Sequence, residues 1–461
     1  MGSESLFQEY DFGESEDSPI RPFKRISSLN NQRQSVEKRQ KLDRLSTSDC
    51  NEVNDITVKE NLPCVNENVD DVTEKSDYDI KTENTRQRIR RVVYMHSREI
   101  VEAANKMIKV ENRASLVSGL IESYGLHKYL RVTEPRPATF DELSIFHSGE
   151  FLEFLKSIND QDDEEKYTEE AQLYGLSYDC PAHTGVYDYV RLITGATVQA
   201  AEHLIDNMAD AAINWFGGWH HGKKDSAAGF CYSNDIVLGI LKLRERFSRV
   251  LYVDLDLHHG DGVEDAFCST NKVLTLSVHK QAVGFYPGTG KVTDVGCGKG
   301  KYYAVNIPLK DGIQDTEFST LVCRILVKIK EKFDPDVVVC QCGADGIIGD
   351  PMESFNLTQL SLGRCISTLL SWKLPILLLG GGGYNHANTA RCWTYLTSIA
   401  VGRKLQNDIP EHKYLLEYGP DYELQITPGN KKNDNSKDYI QNLYHDVLYN
   451  INQMMTNTQS R

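Results

Sequence analysis

The sequence predicts an α/β protein: a mostly parallel β-sheet covered by helices on both faces. Two observations carry this. Apolar, β-branched runs of five to ten residues recur from Val92 onward, and a strand apolar on both of its faces belongs in a sheet buried on both sides. Between the runs lie longer segments with helical periodicity, the pattern of parallel strands joined by crossover helices. At 461 residues, 40% apolar and 25% charged, the chain is long enough for one large core of ordinary globular composition.

The elements follow in order. Residues 1–88 read as a disordered charged N-terminal tail: rich in Ser, Asn, Glu, Asp and Lys, poor in aromatic residues, and blocked in charge. Acidic to Asp17, basic from Arg21 to Arg44 and acidic again to Asp79, it contains FKR and EKRQK, which have the composition of a nuclear import signal. Nucleus and cytoplasm are therefore the expected compartments. Strands are predicted at VVYMH (92–96), AINWFGG (212–218), RVLYVDLDL (249–257) and KVLTLSV (272–278). Two more are VVVCQCGAD (337–345) and PILLLGGGGY (375–384). Helical periodicity fills YVRLITGATVQAAEHLIDNM (189–208) and FSTLVCRILVKIKEKF (318–333). One domain over 90–425 results, and 426–461 reads as a C-terminal tail: a polar loop, PGNKKNDNSKD, then a short helix in YIQNLYHDVLYNINQMM.

Composition excludes several classes. A net charge of −15 argues against tight, sequence-independent binding to nucleic acid and suits a cationic partner. The eleven cysteines are odd in number and lack a CxxC pair, which is usage for a reducing compartment. The start, MGSESLFQEYDFGESED, has no apolar segment of a secretory signal. Gly2 is followed at the sixth position by Leu6, where myristoylation needs Ser or Thr. No apolar run approaches the ~18 residues of a membrane span.

In open parallel sheets, ligands bind beyond the carboxyl ends of the strands, and here those ends are polar. The run at 212–218 leads to His220 and His221. LYVDLDLHHGDG carries Asp254, Asp256, His258, His259 and Asp261; His279, Asp345 and Tyr384 close three further strands. Side chains two apart on a strand point the same way, so Asp256 and His258 are expected to present an oxygen and a nitrogen to one point. A catalytic zinc takes three such ligands and keeps a position open; Asp345 is the natural third, and Fe(II) also suits this donor set. Gly217 and Gly218 allow a turn on which His220 and His221 both face the site as proton handlers, with Asp254 and Asp261 free to orient their rings. GGGGY (380–384) has neither GxGxxG nor GxxxxGK[ST] spacing. Its glycines instead let the backbone approach and swing the Tyr384 phenol toward a developing oxyanion.

Together GGWHHGKKDSAAGFCYSNDI, VLYVDLDLHHGDGVEDAF, GFYPGTG, QCGADGIIGDPMESFNLT and LGGGGYNHANTARCWTYLT resemble the class I zinc-dependent histone deacetylases, in order and spacing across 90–425. The resemblance implies an arginase/deacetylase-like three-layer α/β/α fold with a central eight-stranded parallel sheet, and hydrolysis of Nε-acetyl-lysine in histone and non-histone proteins to lysine and acetate. It implies zinc on Asp256, His258 and Asp345. His221 with Asp261 is implied as general base and then acid, His220 with Asp254 as its electrostatic partner, and Tyr384 as donor to the oxyanion. Gly229, Phe230, Tyr286 and Met352 are implied to line a narrow tunnel for the lysine stem, with Asp179 at the rim. Arg113 and Gly382 are implied near a channel through which acetate leaves. Structural potassium is implied at two sites, one from Asp254, Asp256, His258, Ser277 and Val278 and another from Phe267, Thr270, Val273 and Tyr303. Ser115 matches a phosphorylated serine of the relatives.

Departures are few. Tyr286 stands where phenylalanine is usual, Met352 where leucine is usual, and Gly346 where a hydroxylated residue is common. A manganese ureohydrolase, or an acetylpolyamine or other small-amide hydrolase on the same fold, is the enzymatic alternative; Asp345 is followed by GIIGD, which serves a second metal poorly. A scaffold that binds acetylated tails without catalysis would lack Tyr384, His221 or a ligand, and all are present.

Overall fold

The computed structural model describes residues 90–159, 168–177 and 179–454. The tail expected at 1–88 and its basic block lie outside them. Eight strands form one sheet: β1 (Val92–Met95), β2 (Arg131–Thr133), β3 (Ala211–Asn214), β4 (Val250–Asp254), β5 (Val273–Lys280), β6 (Ala304–Leu309), β7 (Val337–Gln341) and β8 (Ile376–Leu379). Their order across the sheet is β2-β1-β3-β8-β7-β4-β5-β6, and every neighbouring pair is parallel. The last strand in the chain thus lies near the middle, between β3 and β7.

The helices in chain order are α1 (Arg98–Asn105), α2 (Arg113–Ser123), α3 (Phe140–Ser144), α4 (Gly149–Ser157), α5 (Thr168–Leu173) and α6 (Val186–Ile205). They continue with α7 (Asp235–Arg244), α8 (Asp261–Phe267), α9 (Asp315–Phe333), α10 (Gln359–Ser371), α11 (His386–Ala400) and α12 (Lys437–Asn452). Strand side chains alternate between two cores. Tyr94, Leu251, Val253, Cys340 and Leu378 pack with α2, α9, α10, α11 and α12. Val93, Tyr252, Val339 and Leu377 pack with α1, α4, α6, α7 and α8. This is the three-layer α/β/α, arginase/deacetylase-like arrangement.

All six strands expected from the sequence are interior; the two that were not expected, β2 and β6, are the sheet edges. Edge strands carry weaker signals. β2 is three residues long and largely exposed, and β6 contains Pro308, which has no N–H to give a ladder. Helix α12 lies within the 426–461 segment read as a tail, yet Leu443, Tyr444, Val447 and Ile451 are buried in the core. The Tyr439 hydroxyl donates to the Pro308 carbonyl at 2.8 Å, so α12 covers the β6 edge. Residues 426–454 therefore belong to the same compact unit.

Strand bounds differ in one way that matters. β4, β7 and β8 stop at Asp254, Gln341 and Leu379, several residues before the runs at 249–257, 337–345 and 375–384 end. Asp256 and His258 consequently do not share a strand face. They meet in a bend, where the His258 N–H donates to Asp256 Oδ1 at 3.0 Å, and leaving the ladder frees the backbone to turn both groups inward.

Candidate metal centre and active site

Asp256 and His258 follow β4, and Asp345 follows the adjacent β7. The three are buried, and one ligand atom from each lies within 4.8 Å of the others. Asp345 Oδ2 is 2.9 Å from His258 Nδ1 and Asp345 Oδ1 accepts from the Leu257 N–H at 3.0 Å. Asp256 Oδ2 accepts from Gln341 Nε2 at 2.7 Å and from the Gly382 N–H at 2.9 Å. A Cβ on Gly382 would come within 2.5 Å of Asp345 Oδ2; only glycine lets the backbone pass there. Two carboxylates buried side by side need a positive group between them, and the cluster's two oxygens and one imidazole nitrogen suit a borderline divalent cation. Burial opposes a charge on His258, and its hydrogen bonds to Asp256 and Asp345 outweigh this, lifting its pKa to about 10. For Asp345, burial and the Asp256 charge push the pKa up.

The histidine pair arrives from β3. Beyond Asn214 the chain turns through Gly217 and Gly218, and the buried Asp235 at the start of α7 holds that turn. Its carboxylate accepts from the Gly218 N–H at 3.0 Å, the Trp219 N–H at 2.9 Å and the Thr197 hydroxyl at 2.6 Å. The rings of His220 and His221 lie 4.0 Å apart. His220 Nδ1 is 2.8 Å from Asp254 Oδ2, which also accepts from the Tyr252 hydroxyl at 2.6 Å. His221 Nδ1 is 2.7 Å from Asp261 Oδ1. Each Nδ1–H is therefore the donor to a carboxylate, which leaves Nε2 of His221 as a proton acceptor. Lys223 Nζ binds the other oxygen of Asp261 at 2.6 Å. Burial, then the neighbouring His220, pushes the His221 pKa down, which keeps the ring neutral. On His220 burial is outweighed by Asp254 and Asp256, and its pKa rises to about 9.

Tyr384 follows the glycine run after β8. Its N–H donates to Asp350 Oδ2 at 2.7 Å, and its ring meets Phe230 edge-on at 5.6 Å. Burial, then the Asp345 and Asp256 charges, hold its phenol well above the usual pKa, so it stays a donor. Tyr286 packs edge-on against His221 at 4.9 Å and is 40% exposed. Gly229 has φ +51°, and a Cβ there would strike His221 Cδ2 at 2.5 Å. Met352 is half-buried. Asp179 is exposed. Arg113 is buried, donates to the carbonyls of Gly381 and Gly383 at 3.0 and 2.9 Å, and stacks over Trp393. Ser115 is half-buried and bonded to Asn105.

Of the residues grouped for potassium, Ser277 and Val278 lie on β5 beside Asp254. Of the second group, Phe267 and Val273 pack in one core and Tyr303 in the other; the Thr270 N–H donates to the Phe267 carbonyl at 3.1 Å and the Tyr303 carbonyl accepts from the Thr275 N–H at 3.0 Å. His259 and His279 stand behind the site: His259 Nδ1 is 2.8 Å from the Thr289 hydroxyl, and His279 bonds Ser277 and the Gly290 carbonyl. Sequence reasoning missed Asp235, Gln341 and Asp350. Gln341, a polar residue inside VVVCQC, carried a legible signal, because a polar side chain within a doubly buried strand needs a partner. Asp235 and Asp350 lie on helix and loop positions where carboxylates are ordinary.

Residues 107–400 match the model of the histone deacetylase domain. The chain is 49% identical to histone deacetylase 8 of Danio rerio over 82% of its length and 99% of that protein. Identity to histone deacetylase 8 of Xenopus tropicalis is 51%, over 79% of this chain and 98% of the relative. Histone deacetylase 1 of Homo sapiens is 42% identical over 74% of this chain and 70% of its own. No helix among the described residues is long and apolar enough to cross a membrane. With relatives matched over nearly their whole length at half identity, on a fold that brings the metal cluster and the histidine pair together, the chain belongs to the class I histone deacetylases and is a metal-dependent amide hydrolase.

Proposed function

We propose that the protein hydrolyses Nε-acetyl-lysine in histone and non-histone proteins, consuming one water and releasing lysine and acetate. The observation that carries this reading is the pair of carboxylate-oriented histidines, His220–Asp254 and His221–Asp261, standing beside the Asp256–His258–Asp345 cluster. These three residues would hold zinc, with iron(II) the other ion suited to them, and a divalent cation there polarises an amide carbonyl and acidifies a water. His221 Nε2 takes the proton of the attacking water and returns it to the leaving amine, while Asp261 fixes the ring and supports its transient charge. His220, held through Nδ1 by Asp254 and 4.0 Å from the His221 ring, is its electrostatic partner. The Tyr384 hydroxyl donates to the carbonyl oxygen as it becomes an oxyanion.

Gly229, Phe230, Tyr286 and Met352 form the walls of the slot. Acetyl-lysine is neutral and enters an apolar slot without the desolvation cost that a lysine ammonium would meet, which favours substrate over product. Asp179, exposed at the rim, is suited to hold the substrate backbone. Arg113, with Gly382, faces the interior side and attracts acetate. The two groups of residues named above would hold potassium, which would support the fold around β5. The 90–425 segment carries the catalysis, and nuclear as well as cytoplasmic residence rests on the basic block Arg21–Arg44. The test is acetate release from an acetyl-lysine peptide and from an acetylated polyamine, before chelation, after it, and after zinc is restored. Activity that survives chelation, or an unimpaired Tyr384→Phe variant, contradicts the mechanism. Preference for the polyamine contradicts the substrate class.

A further inference from the structure

The reaction leaves the thiols unused. Among the described residues Cys180, Cys231, Cys340, Cys342, Cys365 and Cys392 are buried and Cys323, on α9, is half-buried, whereas Cys268 is half-buried and Cys297 exposed. Those last two, 29 residues apart in sequence, bring their sulfurs to 3.9 Å. Their backbones are already joined, because the Cys297 N–H donates to the Cys268 carbonyl at 2.8 Å. Cys268 caps the C-terminus of α8, and Cys297 precedes the short turn Gly298–Gly300 on the way to β6. The sulfurs of Cys340 and Cys342 lie 4.0 Å apart, but both are buried beside one another at the end of β7, out of reach of an oxidant.

We propose that Cys268 and Cys297 are a reversible oxidation site, which closes to an intrachain disulfide when the protein meets a peroxide. A disulfide needs its sulfurs at about 2.05 Å, so closure by about 2 Å suffices, and rotation of the exposed Cys297 side chain supplies it. Exposure sets the order of events. The Cys297 thiolate attacks one peroxide oxygen, becomes a sulfenic acid and releases hydroxide. Cys268 then attacks that sulfur; the S–S bond forms, the S–O bond breaks, and the hydroxyl leaves as water with the thiol proton. In sum, two thiols and one hydrogen peroxide give one disulfide and two waters, the sulfurs oxidised and the peroxide oxygens reduced. Burial and the adjacent Cys297 hold the Cys268 thiol above its usual pKa, which suits the partner that reacts second. The bridge fastens the end of α8 to the segment that feeds β6 and touches neither the metal cluster nor the tunnel.

The experiment treats reduced full-length protein with equimolar hydrogen peroxide, then alkylates, digests and maps it by mass spectrometry. A peptide pair linked through Cys268 and Cys297, released by dithiothreitol, is expected. The oxidised protein should melt several degrees above the reduced form. Cys297→Ser should lose both effects and keep the deacetylase activity of the reduced wild type. If Cys297 ends as sulfinic or sulfonic acid with Cys268 still open to alkylation, or if oxidation links two chains instead, the proposal is overturned. A melting shift that persists in Cys297→Ser overturns it as well.

Discussion

The buried carboxylate of Asp235 holds the turn that carries both histidines, through the Gly218 and Trp219 amides. Replacing it with Asn puts an amide N–H where an acceptor is needed, and misplacement of about 1 Å near the reacting atoms can cost 10²-fold in rate. Asp235→Asn should therefore lower kcat at least tenfold and leave the metal content of the purified protein unchanged; stoichiometric zinc with normal kcat would contradict this. Charge on the site follows a second line. His220 and His258 have folded-state pKa values of about 9 and 10, above the ~6.5 of an unfolded histidine. Their contribution to stability is complete below about pH 6.5 and disappears as pH rises through those values. The chelated protein should therefore melt lower at pH 9.5 than at pH 7. Zinc should shrink that difference, because it needs His258 deprotonated in any case; equal slopes with and without zinc would count against it. Asp256, His258 and Asp345 were legible from their positions where apolar strands end. Asp235 and Asp350 were not, because their meaning comes from amides that the fold alone brings to them.

At the scale of elements, the interior strands were legible because both of their faces are buried, while β2 and β6 give up half of their pairing and part of their apolar signal. The same reasoning explains α12. Its amphipathic pattern was visible, but nothing local shows that it covers an edge strand some 130 residues earlier in sequence, as the Tyr439–Pro308 hydrogen bond records. Ile451 is fully buried in α12, and truncating a buried isoleucine to alanine costs about 2–5 kcal/mol. Ile451→Ala should destabilise the protein by that amount in urea unfolding; a neutral effect would mean that α12 is dispensable. The strand ends also teach a limit of period-two reading. An apolar run continues past the ladder wherever the chain stays buried, so the sequence overstates a strand just where the site begins.

For the whole molecule, 66 acidic against 51 basic residues give a net negative charge, which is expected to favour the approach of cationic peptides. Salt screens such attraction over about 10 Å at 0.1 M. The KM for an acetyl-lysine peptide rich in arginine should rise between about 0.05 and 0.5 M salt, whereas that of an uncharged peptide should stay flat. Parallel dependence of the two would show that the net charge plays no part in capture. The fold class and its parallel topology were readable from alternation alone; the strand order was not, because crossover lengths do not say on which side of the sheet a strand will settle.

That order has a consequence for how the protein comes into being. β8 enters between β3 and β7, so the three strands at one side and the four at the other have no shared neighbour until residue 376 has left the ribosome. At about 5–20 residues per second, the 162 additions that take the chain from Asn214 to Ile376 keep the inner edge of β3 unpaired for roughly 8–32 s. The same strand delivers Gly382 and Tyr384. A nascent chain therefore gains the Tyr384 phenol and the Gly382 N–H that donates to Asp256 in the step that joins the two halves of the sheet, and any fragment that stops short of β8 lacks both and is left with an open, sticky edge.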